Sequence, residues 1–206
     1  MAVTEQGPGG RSWLLQRVKN ILFTPAEEWD RIDAEPATVK GLYVGYACIL
    51  AAIGPIAKLI SGQLFGFHTM FGIGRPGLIG AIVATVVAYL ANLAGIYVLA
   101  LVIDALAPSF GGTKDRLKAL KIAVYSATAA WIFAVFQLVP QVSALSIIGV
   151  YSLYLLYLGI PKLMKTPTDK AAVYSVVAIV VALAIWIVIA LASSMLTGSG
   201  PAAASI

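Results

Sequence analysis

The 206-residue chain has little charge and few of the side chains that build reactive centres: Asp, Glu, Lys and Arg make up 11% of it, with one histidine and one cysteine. A lone Cys48 excludes an intrachain disulfide and a thiolate metal cluster. His68 has no second histidine and no carboxylate near it in sequence, so the chain offers no metal-ligating set. No nucleophile stands in a motif beside a base, and no pair of carboxylates lies inside an apolar run. No catalytic residue, metal or organic cofactor is therefore assigned, and an enzyme is not expected. Basic residues exceed acidic ones, 14 to 9, yet they sit at the ends of apolar runs rather than in one cluster, so a nucleic-acid partner is not expected. The first long apolar run begins only near Gly41, which argues against a cleaved signal peptide.

What the chain has in abundance is apolar surface. At 60% hydrophobic residues it exceeds what one soluble core of this size hides, which makes lipid its solvent. The pattern predicts an all-α fold, a polytopic membrane helix bundle with five transmembrane helices and short N-terminal surface helices. Residues 1–38 read as a cytoplasmic N-terminal segment, 39–196 as the transmembrane domain and 197–206 as a tail. Spans are expected at about 39–60, 77–103, 118–139, 143–160 and 171–195. Residues 1–10 lack periodicity and are expected to be disordered. In the first span, Gly41 and Gly45 form a small-xxx-small pair for close helix approach, Pro55 bends the outer half and Lys58 snorkels. Residues 61–76, with His68 and Arg75, read as an aromatic, glycine-broken loop. The second span exceeds the ~30 Å hydrocarbon layer, so it tilts or protrudes and brings Asp104 into the interface. Pro140 ends the third span, and the short loop after it makes the third and fourth spans antiparallel neighbours.

Before the first span, Trp13, Leu14, Leu15, Val18, Ile21 and Leu22 share one helical face while Gln16, Arg17, Lys19 and Asn20 take the other. That pattern suits a helix lying in the membrane interface, or one packed on the rest of the protein. Thr24-Pro25-Ala26-Glu27 reads as a helix start, with Thr24 as cap, Pro25 in first position and Glu27 completing a capping box. The helix that follows is acidic through Glu27, Glu28, Asp30, Asp33 and Glu35 and is anchored by Trp29 and Ile32. Its charges form a solvated face, a partner-binding face, or pairs with the basic loops.

Polar residues within the spans are few. Asn92, Ser126, Thr128, Gln137 and Ser152, with Tyr151, Tyr154 and Tyr157 at a spacing of three, mark a candidate polar path or ligand contact beside the fourth span. The tyrosines are expected to face the protein interior, and Pro161 is expected to stop their helix ahead of Lys162 and Lys165. Asp104, the carboxylate beside the second span, is expected to pair with Lys118 or Lys121. All Lys and Arg except Lys58 and Arg75 fall on one side of the five spans. That side is expected to be cytoplasmic, in a bacterial inner membrane, with the N-terminus inside and the C-terminus outside. The tripeptide Val-Tyr-Ser recurs at Val124, Val150 and Val173, but the copies fall at different depths and do not define a repeat.

The Thr24-Pro25-Ala26-Glu27-Glu28-Trp29 box, Phe110-Gly111-Gly112, the Tyr125-Ser126 pair and the run Tyr151-Ser152-Leu153-Tyr154-Leu155-Leu156-Tyr157-Leu158-Gly159-Ile160-Pro161 together resemble the bacterial branch of the Yip family, the Ypt/Rab-interacting protein domain. The resemblance covers nearly the whole chain. It implies a five-helix membrane protein and, for eukaryotic members, a role with Rab GTPases in vesicle traffic. That partner does not carry over to a bacterial-type sequence. Bacterial members often have a proline soon after the Tyr-Ser pair; here Ala127, Thr128, Ala129 and Ala130 follow, leaving no proline to kink the third span. Two readings of function stand: a non-enzymatic scaffold that organises the bilayer, a homo-oligomer or a membrane-protein partner, and a small transporter or channel with a polar path beside the fourth span.

Overall fold

The computed structural model of the protein describes residues 11–69, 72–74 and 77–196. Two short helices, α1 (Arg11–Phe23) and α2 (Pro25–Ala34), form an N-terminal hairpin. Five helical segments long and apolar enough to cross a membrane follow: α3 (Val39–Phe65), α4 (Leu78–Phe110), α5 (Arg116–Leu138), α6 (Pro140–Met164) and α7 (Thr168–Leu196). Between α3 and α4 sits an antiparallel pair, β1 (Phe67–Thr69) and β2 (Gly72–Gly74), with His68 opposite Ile73. The helix thus extends through residues 61–65, where the sequence suggests a loop. Arg75, the side chain of His68, residues 1–10 and the tail 197–206 lie outside what the structure describes.

The bundle is built around α5. Two thirds of its apolar stretch is buried, 67%, against 17% for α4 and 11% for α7, so α5 is the helix the others wrap. It packs on α3, α4 and α6, while α7 leans on α4 and α6. The lipid-facing sides of α4 and α7 carry exposed Ile, Leu and Val throughout, because apolar side chains lose nothing by facing acyl chains.

Several spans depart from regular α-helix, each for a local reason. In α3 a π-helical turn spans Tyr43–Ala47 and a break falls at Ala52, just ahead of Pro55, whose ring cannot donate to the carbonyl four residues back. In α5 the helix breaks at Ala127 without any proline. There Ser126 Oγ donates to Ala123 O at 3.3 Å and Thr128 Oγ1 donates to Tyr125 O at 2.7 Å, so hydroxyls take up carbonyls at the break. The first part of α6, Pro140–Val150, is 3-10 helix, where Ser143 and Ser146 donate to carbonyls three residues back.

Pro161 does not stop α6. The helix runs through it to Met164 and ends at Lys165, which adopts the left-handed conformation with φ of 54°. A proline at 161 leaves the Tyr157 carbonyl without its usual donor; Ser175 Oγ of α7 lies 3.4 Å from that oxygen, while its shorter hydrogen bond, 2.9 Å, goes to Ala171 O of its own helix. The small-xxx-small expectation also fails at Gly45, where a Cβ would meet nothing within 4 Å. Close approach occurs at other glycines, notably Gly95, where a Cβ would lie 2.7 Å from Ile189 Cδ1 of α7.

Candidate functional site

The densest polar construction among the described residues joins the α1–α2 hairpin to the basic ends of α5 and α6. Trp29, fully buried, lies against Gly159: a Cβ there would fall 2.7 Å from the indole Cζ2. The glycine opens a notch in α6 and the indole fills it. Around this anchor, Lys162 Nζ donates to Ala26 O at 2.5 Å and to both Asp30 carboxylate oxygens at 2.7 Å. Lys165 donates to Asp33 at 2.6 Å, and Lys118 reaches the other Asp33 oxygen at 2.7 Å. Lys121 caps the far end of α2, donating to Ile32 O at 2.6 Å and Glu35 O at 2.5 Å, where the carbonyls of a helix C-terminus attract a cation. The acidic helix is therefore chiefly a paired face, although Glu27 remains exposed.

Beneath it, α1 contributes a buried arginine. Arg17 pairs with Glu28 at 2.5 Å and with Glu35, and Asn20 donates to the second Glu28 oxygen at 3.1 Å. Its guanidinium also stands over the rings of Trp13 and Tyr125, at 5.3 and 5.5 Å. Burial lowers the Arg17 pKa, but hydrogen bonding to Glu35 and the fields of Tyr125, Glu35 and Glu28 outweigh it, so the pKa is raised and the charge is kept. For Asp33, burial pushes the pKa up, while the bonds from Lys118 and Lys165 outweigh this and hold it below the ordinary aspartate value. Periodicity placed Arg17 on a solvent or headgroup face; instead it is 3% exposed, and α1 is packed on the bundle, leaving Leu15 and Phe23 outside. The capping box is not formed, because Thr24 Oγ1 donates back to Asn20 O at 3.2 Å and makes no cap bond. Tyr151 donates to Leu22 O at 3.2 Å, so the hairpin lies along α6 from Tyr151 to Lys165 rather than across its end.

The Phe110-Gly111-Gly112 turn locks the loop after α4 to the loop after α6. Gly111 takes φ of 73°, and a Cβ on Gly112 would fall 2.9 Å from Met164 O. Thr113 N donates to that same carbonyl at 2.7 Å, while Phe110 stacks on Tyr174 at 5.0 Å. Tyr174, also buried, donates to Ile103 O.

The expected charge pair is not made. Asp104, 2% exposed, lies 3.7 Å from Arg116 Nε, whereas Lys118 and Lys121 turn to α2. The lysines are drawn away because the hairpin offers them a carboxylate and helix-end carbonyls. The proposed polar residues do not converge either. Asn92 Oδ1 accepts from Trp131 Nε1 at 3.3 Å, Thr128 meets Tyr46 Oη at 2.8 Å, and Ser152 Oγ accepts from Ala130 N at 2.8 Å. Ser126 bonds within its own helix, and buried Gln137 Oε1 has no hydrogen-bond partner among the described residues. Tyr154 and Tyr157 are 49% and 42% exposed, and only Tyr151 of the three turns inward. A spacing of three drifts around a helix, so the stripe leaves the buried face within two turns. Sequence reasoning missed Tyr43 and Tyr89, which donate across the α3–α4 interface to Leu93 O and Cys48 O, both at 3.0 Å. Their signal was available, since an isolated tyrosine in an apolar run needs a partner.

Five apolar helices, a docked amphipathic hairpin and interlocked basic loops define a multi-pass helical membrane protein. The comparison with family models matches the Yip1 domain over residues 19–189. That match covers most of the chain, from the middle of α1 into α7, and the protein belongs to the Yip1 domain family. Comparisons with curated proteins and with solved structures gave no match.

Proposed function

We propose that the protein is a non-enzymatic membrane scaffold, with its basic end in the cytoplasm of a bacterium and the hairpin held there as a platform for a partner protein. The observation that carries this reading is the hairpin dock: Trp29 in the Gly159 notch, closed by lysines from α5 and α6. Its residues are spent on holding a surface in place, which suits presentation better than passage of a solute. Leu15 and Phe23, 67% and 78% exposed on α1, are the apolar contacts such a platform offers. The orientation follows the positive-inside bias of Lys118, Lys121, Lys162 and Lys165. The polar residues inside the spans mostly close bonds with near neighbours, which weakens the transporter alternative.

Photo-crosslinking from Leu15 and Phe23 in intact cells tests the reading. Discrete protein adducts that disappear in the Gly159→Leu variant are expected. Adducts to lipid alone, together with solute flux in proteoliposomes that is lost in Asn92→Ala, would favour the transporter instead.

A further inference from the structure

A groove of about 380 Å³ opens at the basic end between α3, α4 and α5. Val39, Tyr97, Ala100, Leu101, Leu117 and Leu120 make it largely apolar, and Arg116 stands at its rim. None of these residues holds the hairpin, so the groove is independent of the platform described above. Its depth in the membrane follows from α4, whose exposed large apolar side chains run from Leu78 to Leu101. At 1.5 Å per residue that is about 35 Å, near the ~30 Å of a hydrocarbon layer. Leu101 therefore marks the edge of the acyl region, and Arg116 sits where headgroup phosphates lie.

The charge at this rim is open. The Arg116 side chain is 77% exposed and makes one contact among the described residues, 3.7 Å from Asp104 through Nε. The guanidinium face carrying its two terminal nitrogens remains available for bidentate bonding to a phosphate. The Tyr97 hydroxyl, in the same groove, has no hydrogen-bond partner among the described residues. A basic rim over an apolar groove between spanning helices is the construction that retains acidic lipids.

We propose that this groove is a binding site for an anionic phospholipid, with an acyl chain against Tyr97, Ala100 and Leu101 and the phosphate on Arg116. The neighbouring bilayer supplies such a ligand without any path from water, which favours lipid over a free phosphate compound.

Native mass spectrometry of the full chain from mixed micelles tests the assignment, using phosphatidylglycerol and phosphatidylcholine with identical chains. Wild type is expected to retain phosphatidylglycerol roughly tenfold over phosphatidylcholine, a difference worth about 1.4 kcal/mol. Arg116→Gln should bring the two lipids to parity. Val39→Asp, an exposed substitution that keeps Arg116 itself, should do the same by placing a carboxylate in the groove beside the phosphate. Equal retention of both lipids by wild type would overturn the proposal, as would unchanged preference in both variants. Displacement of the lipid by millimolar glycerol phosphate would also overturn it, because the headgroup alone would then be the ligand.

Discussion

Gly159 and Trp29 show how a single side chain's absence can be as specific as its presence. Trp29 is fully buried and its Nε1 has no partner among the described residues, so what it contributes there is packing rather than a hydrogen bond. Trp29→Ala should lower stability by about 3–5 kcal/mol, and Trp29→Phe by distinctly less. Gly159→Ala should cost about 1–3 kcal/mol in wild type by overpacking, and little where residue 29 is already alanine. A double-mutant cycle of unfolding in mixed micelles measures this coupling. Arg17 and Glu28 make a second residue-scale case. Glu28→Ala takes one of two carboxylates from the buried Arg17 and leaves it Glu35, so it should cost less than the about 3–5 kcal/mol of a wholly orphaned buried charge. Arg17→Met combined with Glu28→Leu should recover most of that loss on the same assay. Neither role was legible in the sequence: periodicity sorts side chains by class, and an arginine at a polar position looks the same whether water or a glutamate satisfies it.

At the scale of elements, the hairpin is held by ion pairs that differ in exposure. Asp30, with a side chain 68% exposed, adds only what a surface pair adds, about 0–1 kcal/mol. Asp33, 20% exposed and shared by Lys118 and Lys165, is better placed. Its folded pKa lies below the ordinary value of about 3.9. The stability it adds is therefore fully present above that ordinary value and is lost as pH falls through the depressed folded one. Melting temperatures of wild type and Asp33→Asn should differ at pH 7, begin to converge as pH falls past about 4, and meet below the depressed folded value. The number and order of the spans were legible because apolar runs of that length have no other solvent. Their irregularities were not. The break at Ala127 depends on Ser126 and Thr128 choosing backbone carbonyls over other partners, a choice that residue type leaves open. Pro161 was misread because the helix tolerates the freed Tyr157 carbonyl beside Ser175 of another helix and ends only at Lys165, which takes the left-handed conformation.

For the whole molecule, the motifs that carried the family resemblance prove to be parts of one construction. The Thr24–Trp29 box supplies the hairpin, Gly159 its seat, Tyr125 a wall of the Arg17 site, and Gly111 and Gly112 the lock between two loops. All of them act at or near the basic end, so the account predicts which side faces the cytoplasm. With Cys48 replaced by alanine, a cysteine at Thr113 should resist a membrane-impermeant thiol reagent applied to intact cells and react after permeabilisation. Reaction in intact cells would invert the topology. The central claim, that the acidic hairpin is clamped by the lysines of α5 and α6, is tested most directly by zero-length carbodiimide coupling in native membranes. Such coupling joins only carboxylates and amines already in contact. Mass spectrometry of the digested protein should find amide links between Asp30 and Lys162, and between Asp33 and Lys165 or Lys118. Activated carboxylates at residues 30 and 33 that couple only to added amine, with those lysines left free, would contradict the docked hairpin.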